Sequence, residues 1–427
     1  MKDIAGRNVL PTILFTIFID LLGFGILLPV IPLLLAAPHS QYYLLPAGYT
    51  VKDGYIMLGF LTAIYPIFQF IATPILGQLS DKYGRKKLLA ISLFGTCISY
   101  ILFAIGILTR NIPLLFLARA FDGITGGNIS VAQAAIADVT DPAHRARNFG
   151  LIGAAFGLGF IIGPYLGGKL SDPSVVSWFH AATPFWFAAI LSFLNVLSII
   201  FILPETLLHP RKDLLVHPAK SISNIIKAFS SEQLRVIFAS AFLFQGGFTF
   251  FTTFFSVYLI NKFAFTQGNI GDFFSFVGLW IVIAQAFVTR RVALKYREDQ
   301  VLRVSLLAMA LFVYVILLPN ATWGLYALTP LFAVFNGLSM ANLTALVSRS
   351  ADARSQGEIL GISASVQSLA TAIPPILSGY IAASLAPHSP IIVSAIVIGL
   401  AGVMFIAFYR APRVVTTEHS ETPALAS

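Results

Sequence analysis

Charged residues are scarce in this sequence, and cysteine is almost absent. Asp, Glu, Lys and Arg make up only 11% of the 427 residues, whereas soluble proteins carry about 25%. The single cysteine, Cys97, lies inside an apolar run, so it can form no internal disulfide and has no metal-ligand spacing. Hydrophobic residues make up 57% of the chain, and the mean hydropathy is +0.85. This composition indicates an integral membrane protein rather than a large soluble core.

The sequence also lacks a continuous basic face and a phosphate-binding loop. Although the net charge is +9, the basic residues punctuate apolar segments and form no continuous face, which argues against nucleic acid as a partner. No G-x-x-x-x-G-K-[ST] phosphate loop is present, so ATP-driven pumping is not expected. We therefore expect neither an enzyme nor a protein that holds a cofactor or a metal.

Twelve apolar segments are long enough to cross a bilayer as helices, which takes about 20 residues each. The predicted spans 1 to 12 cover 9–35, 55–79, 88–109, 113–137, 149–170, 184–203, 236–260, 270–288, 301–319, 323–347, 359–384 and 390–409. Span 1 exceeds the about 7–15 apolar residues of a signal peptide, so we interpret it as a permanent span. The segments lack period-2 alternation, which argues against an outer-membrane barrel.

Lysine and arginine positions predict the orientation. With the N-terminus inside, most of the 27 basic residues fall in inside segments. The exceptions are Lys52, Arg110, Lys169 and Lys262, which lie outside or near it, and Arg119, which lies within a span. Both termini are therefore predicted to be cytoplasmic, in a multi-pass protein of the inner (plasma) membrane.

The two halves of the chain resemble each other weakly. The segment "LSDKYGRKK" between spans 2 and 3 lines up with "VALKYREDQ" between spans 8 and 9. We therefore predict an all-α membrane protein whose twelve transmembrane helices form two pseudo-symmetric six-helix bundles, with a substrate site between them. The predicted parts are an N-terminal bundle (1–203), a cytoplasmic linker with an amphipathic surface helix (204–235), a C-terminal bundle (236–409) and a disordered cytoplasmic tail (410–427).

Four motifs carry a resemblance to a known family. They are "FIDLLGFGILLPVIP" (18–32), "GQLSDKYGRKK" (77–87), "LARAFDGITGG" (117–127) and "GLGFIIGPYLGG" (157–168). They resemble signatures of the major facilitator superfamily, of its twelve-span drug/proton antiporters and, within these, of the tetracycline/proton antiporters. The resemblance implies the major facilitator fold and a monomer in the lipid bilayer. It also implies export of amphiphilic small molecules in exchange for protons, by alternating access.

The motif at 77–87 is predicted to act as a gate that forms and breaks during transport. Gly77 permits close approach of another helix, which in the family is span 11, and Asp81 can face the positive N-terminal end of that helix. Gly84 allows the tight turn. Arg85 can pair with a carboxylate, and the likeness indicates Asp138 as its partner. The alternative is a plain positive-inside anchor.

Span 5 carries small residues at a regular spacing. Gly159, Gly163 and Gly167 lie four residues apart and form a flat groove for close helix packing. Pro164 removes a backbone donor and kinks the helix. In the family this helix packs against span 8 at the interface between the bundles. Generic small-residue packing is a compatible alternative.

Three charged residues lie deep inside spans, away from the span ends. Asp20 is near the middle of span 1, where a charge costs about 2.5–3.5 kcal/mol on insertion scales, so we expect it to face a cavity and to bind and release protons. Gly23 and Gly25 are expected to loosen the helix locally. Arg119 and Asp122 share one face of span 4 and can neutralise each other. The resemblance implies proton coupling, and the alternatives are a neutral hydrogen-bonded Asp20 and a static ion pair.

Five residues are candidates for the substrate cavity. Gln69 and Gln245 match cavity glutamines of the tetracycline transporters, and Ser99 stands where those proteins have a carboxylate. Phe248 and Phe251 belong to the phenylalanine-rich span 7, where the alternative role is lipid contact.

The likeness to tetracycline transporters also fails at particular positions. Besides the acid replaced by Ser99, their span-8 histidine aligns with Ile281, and span 9 has no buried aspartate. A tetracycline–metal substrate is therefore not expected, and Asp122 is a candidate replacement for the missing acid. The alternatives are a proton symporter that imports a small organic solute and a membrane receptor without transport.

Overall fold

A computed structural model describes residues 9–140, 145–211, 213–230, 232–350 and 356–410. Its α-helices in chain order are α1 (Val9–Leu35), α2 (Val51–Tyr83), α3 (Arg85–Leu108), α4 (Ile112–Thr125), α5 (Asn128–Val139), α6 (Arg145–Leu170), α7 (Thr183–Phe201), α8 (Lys220–Ser230), α9 (Glu232–Phe263), α10 (Gln267–Ile283), α11 (Arg290–Lys295), α12 (Glu298–Val315), α13 (Thr322–Arg349), α14 (Gln356–Ser384) and α15 (Ser389–Phe408). A π-helix, Ala284–Thr289, joins α10 to α11. The predicted tail lies outside the described residues beyond position 410.

Ten helices in the described ranges are long and apolar enough to cross a membrane. They match every predicted span except the fourth and the ninth. Span 4 is divided into α4 and α5 at Gly126 and Gly127, and span 9 corresponds to α12. The all-α fold predicted from the sequence is confirmed, with this break as its main departure.

The ends of α2 illustrate how local sequence sets the helix boundaries. Thr50 caps the first turn, because its hydroxyl accepts from Asp53 N at 3.3 Å while the Asp53 carboxylate accepts from Thr50 N at 2.7 Å. At the other end Gly84 has a φ of +100°, a backbone conformation that residues with a side chain rarely adopt. A single residue therefore separates α2 from α3.

The helices pack as two groups, one from each half of the chain. In the first half, α1 packs between α6 and α7 while α3 packs on α4 and α7. In the second half, α9 and α12 both pack on α15, and buried phenylalanines such as Phe255 and Phe273 fill the interior. The two groups meet mainly where α2 contacts α14 and where α6 contacts α10.

The two groups are in close contact on the face that carries Gly48, which we call the Gly48 face. There a Cβ on Gly59 of α2 would lie 3.2 Å from Gly379 Cα of α14, and one on Gly168 of α6 would lie 3.0 Å from Gly271 Cα of α10. Only residues without side chains permit backbones to approach so closely.

On the opposite face, which we call the Gly84 face, α2 and α14 are farther apart. A Cβ added to Gly77 of α2 would have no heavy atom within 4 Å. Instead, α8 contacts both helices there. The contact expected between Gly77 and span 11 is therefore not made in this conformation.

Candidate functional site

The break between α4 and α5 lies beside α2. A Cβ on Gly126 would be 2.7 Å from the Tyr65 hydroxyl, and one on Gly123 would collide with the Tyr65 carbonyl oxygen. The glycines therefore bring α4 against α2 at the level of Tyr65. This approach places the charged residues of α4 next to aromatic and amide groups of α2.

Arg119 and Asp122 form a buried ion pair one helical turn apart. Arg119 Nη1 lies 2.8 Å from Asp122 Oδ2, and each residue is only 5% exposed. Removing one partner of such a pair leaves an uncompensated buried charge, which is strongly unfavourable. The pair that was expected from spacing alone is thus present.

Tyr65 connects this ion pair to a glutamine. The Arg119 guanidinium carbon lies 4.5 Å from the centre of the Tyr65 ring, in cation–π geometry. The Gln69 amide donates to the Tyr65 hydroxyl at 2.9 Å and to the Gly126 carbonyl at 2.8 Å. The Gln69 side chain is therefore held by the same tyrosine that covers Arg119.

Asp20 faces a cavity that also contains this cluster. The cavity is lined by Asp20, Phe24, Tyr65, Thr96, Tyr100, Arg119, Asp122, Gly126 and Asn128. Asp20 Oδ2 is buried and has no hydrogen-bond partner among the described residues, and the same is true of Arg119 Nε. With Arg119 paired to Asp122, one proton on Asp20 makes the cluster neutral. The arrangement can therefore take up and release a proton at Asp20.

The helix around Asp20 is not loosened at its glycines, contrary to expectation. α1 is continuous from Val9 to Leu35. A Cβ on Gly23 would collide with the Tyr100 hydroxyl, and one on Gly25 would lie 2.9 Å from Gly163 Cα. These glycines make room for neighbours because no side chain fits there.

The candidate gate residues form a network within the first half of the chain. Arg85, which is 7% exposed, lies with Nε 3.0 Å from Asp138 Oδ2 and with Nη1 2.6 Å from Asp81 Oδ1. The backbone N–H of Arg85 also donates to Glu205 Oε1 at 2.9 Å, and Gly84 leaves room for that carboxylate. Asp81 was expected to face the N-terminal end of span 11. In this conformation it contacts Arg85 of its own half instead.

Span 5 packs against span 8, as the family likeness implies, but its glycine groove faces another helix. Added Cβ atoms on Gly159, Gly163 and Gly167 would lie 2.6 Å from atoms of α1. The neighbouring face of α6 contacts α10, since the Pro164 carbonyl oxygen lies 2.6 Å from a Cβ on Gly271. α6 is therefore the helix between α1 and α10, and the groove itself packs on α1.

The candidate cavity residues differ in burial and in their partners. Ser99 is buried and donates to the Ala118 carbonyl at 2.8 Å, which ties α3 to α4. Phe251 is buried, with ring centres 4.4 Å from Phe255 and 5.0 Å from Phe332. Gln245 and Phe248 are partly exposed. In this conformation Phe251 belongs to the core of the second half.

Sequence reasoning did not select four residues that form important contacts. Tyr65 lies four residues before Gln69, and that helical spacing was the signal available for it. Glu205 lies in a loop and carried no signal. Lys169 and Asp272, both at ends of predicted spans, form an ion pair of 2.8 Å between the two halves on the Gly48 face.

Comparisons with known proteins find a matching family model and similar sequences. A family model described as the Major Facilitator Superfamily matches residues 13–373 and 237–426. The chain is 32% identical over 373 residues to "Tetracycline resistance protein, class C" of Escherichia coli, a match that covers 87% of this chain and 89% of the relative. It is 27% identical over 379 residues to "Multidrug resistance protein 2" of Bacillus subtilis (strain 168), covering 87% and 88%.

Solved structures share the fold. The human organic anion transporter MFSD10 (TETRAN) superposes with a TM-score of 0.71 at 22% identity, over 93% of this chain and 99% of that one. A D-xylose–proton symporter superposes with a TM-score of 0.73 at 16% identity, over 94% and 98%. At these identities the likeness concerns the arrangement of helices alone.

Proposed function

Because the chain belongs to the Major Facilitator Superfamily, we propose that it is a secondary transporter that exports small amphiphilic molecules in exchange for protons. The observation that carries the proposal is Asp20, whose buried oxygen has no partner among the described residues and faces a cavity beside a neutralised ion pair. The names of the relatives, which concern resistance to tetracycline and to multiple drugs, support export.

In this mechanism Asp20 is the proton carrier. A buried carboxylate without a cation is costly, so the site favours a protonated Asp20 until the cavity opens to a side of low proton concentration. Loss of the proton leaves one negative charge beside Arg119 and Asp122. Tyr65 and Gln69 then link that charge change to the region between the bundles, where we propose that the substrate binds.

We further propose that the Gly84 face is cytoplasmic and that the residues at 77–87 form its gate. The basic residues favour this orientation. The open space at Gly77 and the contacts at Gly59 and Gly168 fit a state closed on the outer side. Closing the inner side would bring Gly77 and Asp81 to α14, and the Arg85 contacts would rearrange.

The substrate is proposed to differ from a tetracycline–metal complex. The carboxylate position of span 3 is occupied by Ser99, whose hydroxyl is already engaged by the Ala118 carbonyl. The partly exposed side chains of Gln245 and Phe248 offer one amide and one aromatic surface instead. This combination suits an amphiphile with a planar apolar part.

The experiment is transport of ethidium in proteoliposomes, with and without an imposed pH gradient. The unaltered chain should move ethidium against its gradient in the direction opposite to protons. Asp20→Asn should reduce gradient-driven transport to the level of empty liposomes, because no titratable group remains at that position. Counterflow, which needs no proton gradient, should persist.

Asp20→Glu is the matched control and should retain part of the gradient-driven rate, since it keeps a carboxyl group. Unchanged gradient-driven transport in Asp20→Asn would refute the role of Asp20. Movement of ethidium in the same direction as protons would instead support the symporter alternative.

A further inference from the structure

The linker between the two bundles follows α2 closely on the Gly84 face. Arg211 N donates to the Asp81 carbonyl at 2.9 Å, and the Lys82 ammonium donates to the Leu214 carbonyl at 3.2 Å. Farther along, His217 N donates to Gln78 Oε1 at 2.9 Å. The linker is therefore bonded to the same turns of α2 that carry the gate motif.

One face of α8 joins the two halves. The Ser221 hydroxyl donates to the Phe70 carbonyl of α2. Asn224 Nδ2 donates to the Gly361 carbonyl of α14 at 3.2 Å and to the Ser365 hydroxyl at 3.1 Å. Ser221 and Asn224 are both buried. This face of α8 is small and polar, and both of its side chains donate hydrogen bonds to the neighbouring helices.

The other side of α8 is apolar and exposed. Ile222 and Ile226 are 57% and 61% exposed, and their four-residue spacing places them on one side of the helix. Lys220 and Lys227, seven residues apart, lie on a neighbouring flank, and Lys227 is exposed. We call these four residues the outer face of α8.

We propose that the outer face of α8 binds anionic phospholipid at the membrane surface. An amphipathic helix with apolar residues on one side and lysines beside them inserts its apolar side at the boundary between headgroups and acyl chains. Lysines near the surface then attract anionic headgroups. Charge complementarity thus selects anionic lipid over neutral lipid.

Lipid bound at this face has a structural consequence. Because the opposite face of α8 holds both Phe70 of α2 and Gly361 of α14, anionic lipid stabilises the arrangement in which α8 spans the two halves. The proposal does not depend on what the chain transports, so it can fail or hold independently of the proposed function.

The first test is thermal unfolding of the full chain in detergent, with added dioleoyl phosphatidylglycerol or dioleoyl phosphatidylcholine. The anionic lipid should raise the Tm more than the neutral lipid. This difference should disappear in the double variant Lys220→Gln/Lys227→Gln. The matched control is Lys86→Gln/Lys87→Gln, two lysines of similar exposure on the Gly84 face, which should keep the difference.

The second test keeps both lysines and measures contact with lipid by fluorescence quenching. The variant Ile226→Trp adds a fluorophore to the four native tryptophans. Brominated phosphatidylglycerol should quench the added fluorescence more than brominated phosphatidylcholine does.

In the first test, an equal lipid difference in the Tm of the unaltered chain and of Lys220→Gln/Lys227→Gln would overturn the proposal. Equal quenching by both lipids, or none, would also overturn it, and the absence of quenching would indicate a protein partner for this face.

Discussion

At the scale of single residues, the candidate site depends on an aromatic side chain that covers a charge. Arg119 has a carboxylate on one side and the Tyr65 ring on another. The Tyr65 hydroxyl accepts from Gln69. One tyrosine thus contributes a cation–π contact through its ring and a hydrogen bond through its oxygen, and the two contributions can be separated by mutation.

Tyr65→Phe should keep the ring over Arg119 and lose only the hydrogen bond, at about 1 kcal/mol. Tyr65→Leu should also lose the cation–π contact, worth about 2 kcal/mol when desolvated. We expect thermal stability and gradient-driven transport to fall in the order Tyr, Phe, Leu. Equal losses in both variants would mean that the ring contributes nothing beyond its hydroxyl.

At the scale of helices, glycines decide which pairs can touch. Gly163 of α6 packs on backbone atoms of α1, with an added Cβ 2.6 Å from the Leu22 carbonyl oxygen. Gly77 of α2 has open space around it. Both belong to glycine-containing motifs of the sequence, yet only one is packed in this conformation.

Gly163→Val should therefore destabilise the protein by about 1–3 kcal/mol, because backbone atoms of α1 must move. Gly77→Val should leave the Tm almost unchanged, since no atom lies near. If Gly77 meets α14 when the Gly84 face closes, Gly77→Val should nevertheless slow transport. Thermal unfolding and proteoliposome transport of the two variants measure both effects, and a normal rate for Gly77→Val would rule out the gate.

At the scale of the whole molecule, the two halves are joined on the Gly48 face by an ion pair and by bare helix backbones. Lys169 of α6 and Asp272 of α10 are partly exposed, with side chains 30% and 40% accessible. An exposed ion pair is worth little as stabilisation. Because this ion pair joins the two halves, we expect it to affect the equilibrium between conformations.

Lys169→Gln should shift the population toward states open on the Gly48 face. The measurement is the distance between spin labels at Ala47→Cys and Ser384→Cys, in a Cys97→Ala background, by electron paramagnetic resonance. Longer distances should gain population in Lys169→Gln and return toward the original distribution in the swap Lys169→Asp/Asp272→Lys. An identical distribution in all three proteins would show that the ion pair does not bias the conformation.

The sequence by itself determined the membrane class, the all-α fold and the positions of the buried charges. Long apolar segments have no stable solution in lipid other than helices or barrels, and a charge inside a span is visible without coordinates. Asp20, Arg119 and Asp122 were therefore found from composition and spacing. The break at Gly126 and Gly127 was not, because glycine alone does not mark where a helix stops.

Only the tertiary structure decided which surfaces meet. The groove of Gly159, Gly163 and Gly167 contacts α1, Arg85 N–H contacts Glu205, and Arg119 lies over Tyr65. These contacts depend on how each helix is rotated about its axis and on which helices are neighbours. Hydrophobic periodicity leaves both undetermined in a bilayer, since the lipid-facing and protein-facing sides of a helix are equally apolar.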